Sequence, residues 1–381
     1  MIQMAATEGF TAADCGVGPF TVRVSDSPDD PGWDDFLEQV SIGHHAQTSG
    51  WGRARASIDW RPSRVVVFED GRVVAGTQMV SRPMPLGGNV GFVHRGPVVC
   101  SDRPELARLV FDEMMALGKA RGVQYLVVQP PRGCDWMRTE LARLGFRYGA
   151  FDIDHTSTIL LDMSPSLAEI RASMKKSTRK HLREGEREGV TVRRGSVADL
   201  PIFNRLKDIH SARLGYARRE EGYYEELWRA LAPRGHVELF IAEYEGTPVS
   251  AQLAIPFGDT CRHMERPWSG EYGDFRPNEL LEWEVIKWAK SEGYRYTDLE
   301  GIEPSLAEAI LCGRGVPDDP KYSASRFKLK IVPPGQIIVD PPSFDHVYNP
   351  VLRFAYRCVP NKVMRSTGMR RLVFAFRETG S

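Results

Sequence analysis

Two stretches of the chain share one pattern of apolar and polar positions. Residues 64–78 read RVVVFEDGRVVAGTQ, and residues 239–252 read LFIAEYEGTPVSAQ. Each is an apolar run, an acidic-Gly pair (Asp70-Gly71, Glu245-Gly246), and a second run with small residues at Ala75-Gly76 or Ser250-Ala251. An acidic residue and a Gly between two β-rich runs predict a hairpin, most strongly for Asp-Gly. A second matched pair lies downstream: KARGVQYLVVQP at 119–130 and KSEGYRYTDLEG at 290–301. In both, a helix is predicted to end in Lys-x-x-Gly and a strand to follow. Gly122 and Gly293 suit the left-handed position that stops a helix. The helix before Gly293 carries Leu281, Val285, Trp288 and Ala289 at helical spacing on one face, with Asn278 as its expected cap.

Each half therefore reads as hairpin, further strand, helix, strand. The matched glycines are 51 residues apart in the first half (71 to 122) and 47 in the second (246 to 293). One large repeat interval predicts a duplicated α/β unit and not a solenoid of short repeats, although any two α/β units share this grammar. Between the halves, 165–190 is helical in pattern and strongly charged, and a further helical stretch covers about 199–232. The end of the chain, 350–377, is rich in arginine and reaches no acidic residue until Glu378.

Length and composition agree with a two-part chain. Its 381 residues exceed the roughly 250–300 at which single cores stop growing. At 42% hydrophobic and 26% charged, it has the composition of a soluble globular protein. The 50 basic and 50 acidic side chains cancel, which argues against a broadly cationic nucleic-acid binder but leaves room for a local basic site. Basic clusters at 171–187 and 350–377 are offset by acids elsewhere, among them Asp26, Asp29, Asp30, Asp34, Asp35 and Glu38. The six cysteines are scattered with no CxxC pair, so neither a zinc knuckle nor a disulfide framework is expected. The N-terminus has no basic n-region and no long apolar run, and no stretch approaches 18 apolar residues. The expectation is a cytoplasmic, reduced protein with a loose tail at 1–18.

The motifs exclude more chemistry than they assert. A coenzyme A-dependent acyltransferase on such α/β units needs a Gly-rich pyrophosphate loop opening a helix. The approaches to the two repeated helices, SDRPELARL and SGEYGDFRPNELL, lack it, and no Walker, HExxH or GxSxG motif occurs. His44 and His45 are adjacent and no two histidines are spaced i, i+4, so no metal site is expected. The run Lys175, Lys176, Arg179, Lys180, Arg183 has two readings. It is either a solvated helix face paired with glutamates or a phosphate-contacting surface.

Several motifs in order resemble the Fem family of aminoacyltransferases, which build peptidoglycan side bridges from aminoacyl-tRNA. Gln47-Thr48-Ser49-Gly50-Trp51 with Arg55 is similar to the family's first motif of Gln, Trp and a basic residue. Arg95-Gly96-Pro97 resembles its Arg-Gly-Pro, and Arg179-x-x-Leu182-Arg183-x-x-Glu186-Arg187-x-Gly189-Val190 resembles its charged helix end. Pro277-Asn278-x-Leu280-Leu281-x-Trp283 through Tyr296-x-Asp298-Leu299-x-Gly301-Ile302 looks like its most recognisable block, and Phe327-Lys328 like its Phe-Lys.

The resemblance implies an α/β fold of the α+β type: two tandem acetyltransferase-like (GNAT-like) domains without the long helical arm of some members, for which 195–235 is too short. The first domain would span 19–160 and be completed by 335–381, the second 161–334. It implies aminoacyl-tRNA as co-substrate, no cofactor and no metal. Lys328 becomes the catalytic candidate, either a fixed cation for the oxyanion that develops when an amine attacks the tRNA ester or a holder of the terminal ribose and phosphate. Arg55 and Arg213 match residues that hold the acceptor's phosphates, with Tyr216 and Tyr224 as neighbours and Arg266 beside the acceptor. Lys175, Lys176, Arg179, Lys180 and Arg183 become tRNA contacts. Ordinary readings remain for each: an edge-strand lysine, surface arginines and half-buried tyrosines.

This chain departs from the family at Arg262-His263-Met264-Glu265-Arg266 and in Leu-Lys-Ile-Val-Pro-Pro-Gly after Phe327-Lys328. Both lie where acceptor and tRNA terminus should meet, so the acceptor stays open between a peptidoglycan precursor (muropeptide) and a small-molecule amine of natural-product biosynthesis. A CoA-dependent N-acetyltransferase and a non-catalytic tRNA- or membrane-binding protein are the competing classes. The C-terminal stretch either makes peripheral membrane contact or wraps the first domain with Leu352, Phe354, Val373 and Phe374, leaving its arginines in water.

Overall fold

The structure is a computed structural model that describes residues 19–84, 87–99, 102–150, 152–215, 222–331 and 336–358. The repeated pattern folds into two seven-stranded sheets. The first half supplies β1 (Phe20–Ser25), α1 (Pro31–Gln39), α2 (Ser49–Ala56), β2 (Arg61–Glu69), β3 (Arg72–Pro83), β4 (Asn89–Val93), α3 (Pro104–Ala120), β5 (Val123–Val128), α4 (Met137–Arg143) and β6 (Arg147–Tyr148). The chain then runs through β7 (Ser157–Asp162), α5 (Leu167–Ser173), α6 (Lys176–Arg187), β8 (Val190–Arg194), α7 (Leu200–Leu214) and α8 (Tyr223–Leu231). The second copy of the pattern is β9 (Glu238–Tyr244), β10 (Thr247–Phe257), β11 (Thr260–Glu265), α9 (Pro277–Ser291) and β12 (Tyr296–Gly301). After it come α10 (Pro304–Leu311), α11 (Ser323–Ile331), β13 (Ile337–Val339), β14 (Phe344–Val347) and α12 (Pro350–Cys358).

The first sheet has the order β1-β2-β3-β4-β5-β14-β6 and the second β13-β7-β12-β11-β10-β9-β8. The hairpins fall where the acidic-Gly pairs predict them. Asp70 and Gly71 take φ of 49° and 75°, Glu245 and Gly246 of 48° and 73°, the two consecutive left-handed residues of a type I′ turn. Each sheet has one parallel pair, β4 with β5 and β11 with β12, crossed by α3 and α9. Gly122 and Gly293 end those helices with φ of 66° and 85°. The β11–β12 ladder stops at Arg262 opposite Asp298, although β11 continues to Glu265 and β12 to Gly301. Beyond that pair the two strands part.

The sequence pattern misassigns some details. Asn278 does not cap α9. Arg276 holds that position in a left-handed conformation, Pro277 follows at the first helical position, and Asn278 Oδ1 accepts instead from Ser250 Oγ at 2.8 Å. The charged stretch 165–190 is two helices, because Met174 and Lys175 are extended. Ser157–Asp162 and Ile337–Val339 both pair within the second sheet, whereas Phe344–Val347 inserts between β5 and β6 of the first.

One apolar cluster joins the sheets. Trp51, Trp60, Val80, Phe92 and Val127 from the first half pack with Phe203, Tyr223, Leu227, Leu239, Ile241 and Leu253 from the second. The α2 helix approaches α8 at Gly50, where a Cβ would lie 3.0 Å from the Ala230 carbonyl. Separate cores lie under α3 and α4 on the first sheet and under α6 and α9 on the second. Among the described residues no helix is long and apolar enough to cross a membrane.

Candidate active site

A cleft of about 2120 Å³ runs between the two halves where β11 and β12 part. Residues of the first Gln-Trp motif form one wall, and the reasons are local. Thr48 Oγ1 caps α2 by accepting from Trp51 N at 3.1 Å, and Asp34 accepts from Ser49 N and Oγ at 2.7 and 2.5 Å. The buried Gln47 side chain donates to the His94 carbonyl (2.6 Å) and accepts from Gln78 N (2.6 Å), tying α2 to β3 and to the end of β4. This fixes Arg55 on the cleft face of α2, with its guanidinium 5.3 Å from the Trp51 ring and 4.8 Å from the Trp60 ring.

Lys328 sits on α11, a helix and not the edge strand of the ordinary reading. Its Nζ donates to the carbonyls of Glu300 (3.1 Å) and Gly301 (2.7 Å) at the end of β12. An ammonium has three donors, so one N–H remains for a ligand. Burial and the neighbouring Arg266 push its pKa down, carboxylates oppose them, and the result is about 8. Glu300 is the other unusual group. Its φ is +61°, a left-handed conformation that costs a non-Gly residue roughly 1–2 kcal/mol. Asp298 Oδ1 holds its N–H at 2.9 Å, and Lys328 holds its carbonyl. Burial and the nearby Asp298 charge raise the Glu300 carboxyl to about 7.

Around these groups lies an ion-pair network that bridges the sheets. Arg132 pairs with Asp298 (3.0 Å) and Asp340 (2.7 Å), and Arg95 with Asp340 (2.9 Å). His94 meets Asp154 at 3.1 Å. Burial alone would raise Asp298 and Asp154, but the neighbouring arginines and His94 outweigh it and bring both to about 2. Arg262, at the last rung of the β11–β12 ladder, points Nη1 into a buried position without a hydrogen-bond partner among the described residues. Six of the nine histidines line the cleft: His44, His45, His94, His155, His210 and His263. Burial lowers the pKa of His44, His45 and His155, His45 to about 3.

The structure brings Lys328, Arg55, Arg213 and Arg266 to one cleft. Arg213 lies at its rim on the last turn of α7, over Trp268 at 4.8 Å and bonded to His210 at 3.2 Å. Arg266 pairs with the buried Glu282 and stacks on Phe327 at 4.4 Å, so it steadies the residue next to Lys328. Tyr224 does not reach the cleft surface. Its ring packs on Phe203 and Tyr223, and its hydroxyl donates to Glu265 at 3.2 Å, a residue that does line the cleft. Tyr216 lies outside the described residues.

The basic helix residues are not in the cleft. Lys175, Lys176 and Arg183 are exposed on or beside α6, Lys180 pairs with Glu184 (3.2 Å), and Arg179 is committed to the Ala172 and Met174 carbonyls. The start of α6 is nevertheless bonded to α11. Lys175 N and Thr178 Oγ1 both donate to the Lys330 carbonyl, at 3.2 and 3.1 Å. At the C-terminal stretch, Phe354 is 73% exposed and wraps nothing, and Tyr356 anchors α12 through Asp345 (2.6 Å). Arg353 is not left in water, since it donates to the Val347 and Tyr348 carbonyls. Val373 and Phe374 lie outside the described residues, and nothing is described of the Leu352 side chain.

Sequence reasoning passed over Glu300, Arg132 and His155, and met Arg262 only as part of a departure from the family pattern. Glu300 occupies an unspecified position of the 296–302 block. The signal for it is an acidic residue directly before a Gly at a strand end.

The FemAB family model matches residues 30–245. A lipid II:glycine glycyltransferase of Staphylococcus aureus is 23% identical over 293 residues, 73% of this chain and 69% of its own. The crystal structure of FemX aligns with a TM-score of 0.72 at 19% identity, covering 85% of this chain and 97% of FemX. A tandem GNAT protein from the clavulanic acid biosynthesis pathway aligns with a TM-score of 0.52 at 10% identity, covering 86% and 99%. The fold is thus the tandem acetyltransferase-like one.

Proposed function

The chain belongs to the FemAB family, and from that premise we propose that it moves an aminoacyl group from aminoacyl-tRNA to an amine of a peptidoglycan precursor, forming an amide bond. The observation that carries this reading is the opening between β11 and β12. There Lys328 keeps one donor free beside Arg262, whose Nη1 is buried without a hydrogen-bond partner among the described residues, with Arg55 and Arg213 in the same cleft. The acceptor nitrogen attacks the ester carbonyl, and the oxyanion that forms meets the Lys328 ammonium. Arg55 and Arg213 suit the phosphates of a nucleotide- or lipid-linked acceptor. The tRNA ester is already activated, so no covalent enzyme intermediate is required. Since aminoacyl-tRNA is a cytoplasmic donor, the enzyme works on the cytoplasmic face.

Coenzyme A fits poorly. The backbone N–H groups of Phe275 and Arg276, just before α9, are committed to the Tyr272 and Gly273 carbonyls, and Pro277 has none. A second reading keeps the chemistry but gives it a small-molecule amine. It draws on the Lys207–Glu265 and Arg266–Glu282 pairs that fill the β11 wall of the cleft. We read Lys175, Lys176 and Arg183 as the tRNA surface, since α6 rests on the helix that carries Lys328.

Purified protein with a mixed charged tRNA pool, muropeptide acceptors and small amines, analysed by mass spectrometry, tests this. The expected product is an aminoacyl amide of the muropeptide that disappears after ribonuclease treatment. Lys328→Ala should lower its rate by about 100-fold or more. Acylation of small amines alone would move the conclusion to the second reading. Acetyl transfer from acetyl-CoA with no tRNA-dependent product would overturn both.

A further inference from the structure

The cleft holds a carboxylate whose placement the transfer reaction has so far not used. Glu300 ends β12 in a left-handed conformation, and its backbone is clamped on both sides. Asp298 accepts its N–H (2.9 Å), and Lys328 donates to its carbonyl (3.1 Å). A Cβ at Gly301 would fall 2.1 Å from His155 Nδ1, so any other residue there would displace that ring. Around the carboxylate the charged and titratable groups are Asp298 on its own strand, Arg262 on β11, Lys328 on α11, Arg95 after β4 and His155 before β7. His155 Nε2 lies 4.0 Å from Glu300 Oε2, too far for a hydrogen bond, and desolvation lowers the pKa of that ring. Among the described residues no hydrogen bond reaches the Glu300 carboxylate. A backbone held this firmly presents a carboxylate that no described hydrogen bond occupies, beside the lysine that awaits the oxyanion.

We propose that Glu300 is the catalytic base that removes a proton from the acceptor's ammonium during aminoacyl transfer. The inference rests on the transferase reading above. Glu300 takes one proton from the ammonium, and the freed lone pair forms the C–N bond to the ester carbonyl carbon. The carbonyl π pair moves onto oxygen, where Lys328 meets it. Collapse re-forms the C=O bond and breaks the C–O bond to the ribose. The second proton on the attacking nitrogen passes to the departing ribose oxygen, and Glu300 returns its own proton to water. A base that titrates near neutrality suits this step at physiological pH, since it is substantially ionised yet still basic.

The test compares wild type, Glu300→Gln and Glu300→Asp using the charged tRNA pool and the acceptor that wild type accepts. Aminoacyl-tRNA affinity is measured separately by filter binding. The expected result for Glu300→Gln is a loss of about 100-fold or more in kcat/KM at pH 7, with tRNA affinity within twofold. The rise in rate through about pH 7 should vanish. Raising the pH should recover part of the loss, because the acceptor amine then deprotonates in solution, and Glu300→Asp should restore part of the limb. If Glu300→Gln keeps wild-type rate and pH profile, or falls equally at every pH with no limb lost, the base assignment is overturned while the transferase reading stands. If wild type itself forms no amide with any acceptor, both fall together.

Discussion

Three carboxylates, two lining the cleft and one behind its β11 wall, show how single residues tie this molecule's stability to pH. Asp154, Glu282 and Asp298 are pushed up by burial but pulled down further by their cationic neighbours, to about 2 each. Their unfolded values lie near 4. A depressed folded pKa gives stability that is complete above the unfolded value and is lost as pH falls through the folded one. Each should therefore contribute roughly 2 kcal/mol at neutral pH that disappears between about pH 4.5 and 2. Urea unfolding followed at a series of pH values should show that decline. In Arg132→Ala it should be shallower, because Asp298 and Asp340 lose a shared partner. The same variant should be less stable at pH 7 by about 3 kcal/mol, the cost of stranding buried charge. None of this was legible in the sequence, since residues 132, 298 and 340 meet only through tertiary structure. Lys328 was legible because it sits in a motif, and Glu300 was not because the motif leaves its position blank.

At the scale of elements, the chain announced itself through turns. The acidic-Gly hairpins and the glycines that stop α3 and α9 are set by left-handed backbone that few residues adopt, so local sequence sufficed. Helix caps and breaks were harder. Pro277 displaced Asn278 as the organiser of α9, and the extended Met174–Lys175 link split what periodicity reads as one helix. The α2 helix, which carries Arg55, holds Gly50 and Gly52 where Ala would favour the helix by up to about 1 kcal/mol. Close packing explains them. A Cβ at Gly52 would stand 2.7 Å from Gln78 Oε1 and 3.0 Å from Pro62 Cβ. Gln78 cannot yield freely, since it accepts from Arg64 and donates to the Thr48 carbonyl. Gly52→Val should therefore destabilise by about 1–3 kcal/mol, read from the shift in the urea midpoint. It should also weaken acceptor binding by moving Arg55.

The whole molecule is neutral, yet its charges are sorted. Arginines line the cleft, and exposed lysines sit on α6, whose start is bonded to α11. A donor as large as tRNA should feel the second set through its backbone. Replacing Lys175, Lys176 and Arg183 together by Ala should weaken tRNA binding and reduce the slope of log Kd against log salt by about 3. The rate with saturating tRNA should stay near wild type. Filter binding at several salt concentrations separates the two effects.

The insertion of β14 between β5 and β6 has a consequence for how the protein is born. The β5 strand ends at residue 128 and its neighbour begins at 344. At ~5–20 residues per second, a ribosome needs between about 10 and 45 s to deliver that neighbour. Throughout that interval β5 offers an open, apolar edge to any passing strand, its own sister chains on the same message included. Crowded translation is thus a circumstance in which this fold is exposed to misassembly, and slower loading of ribosomes should raise its yield.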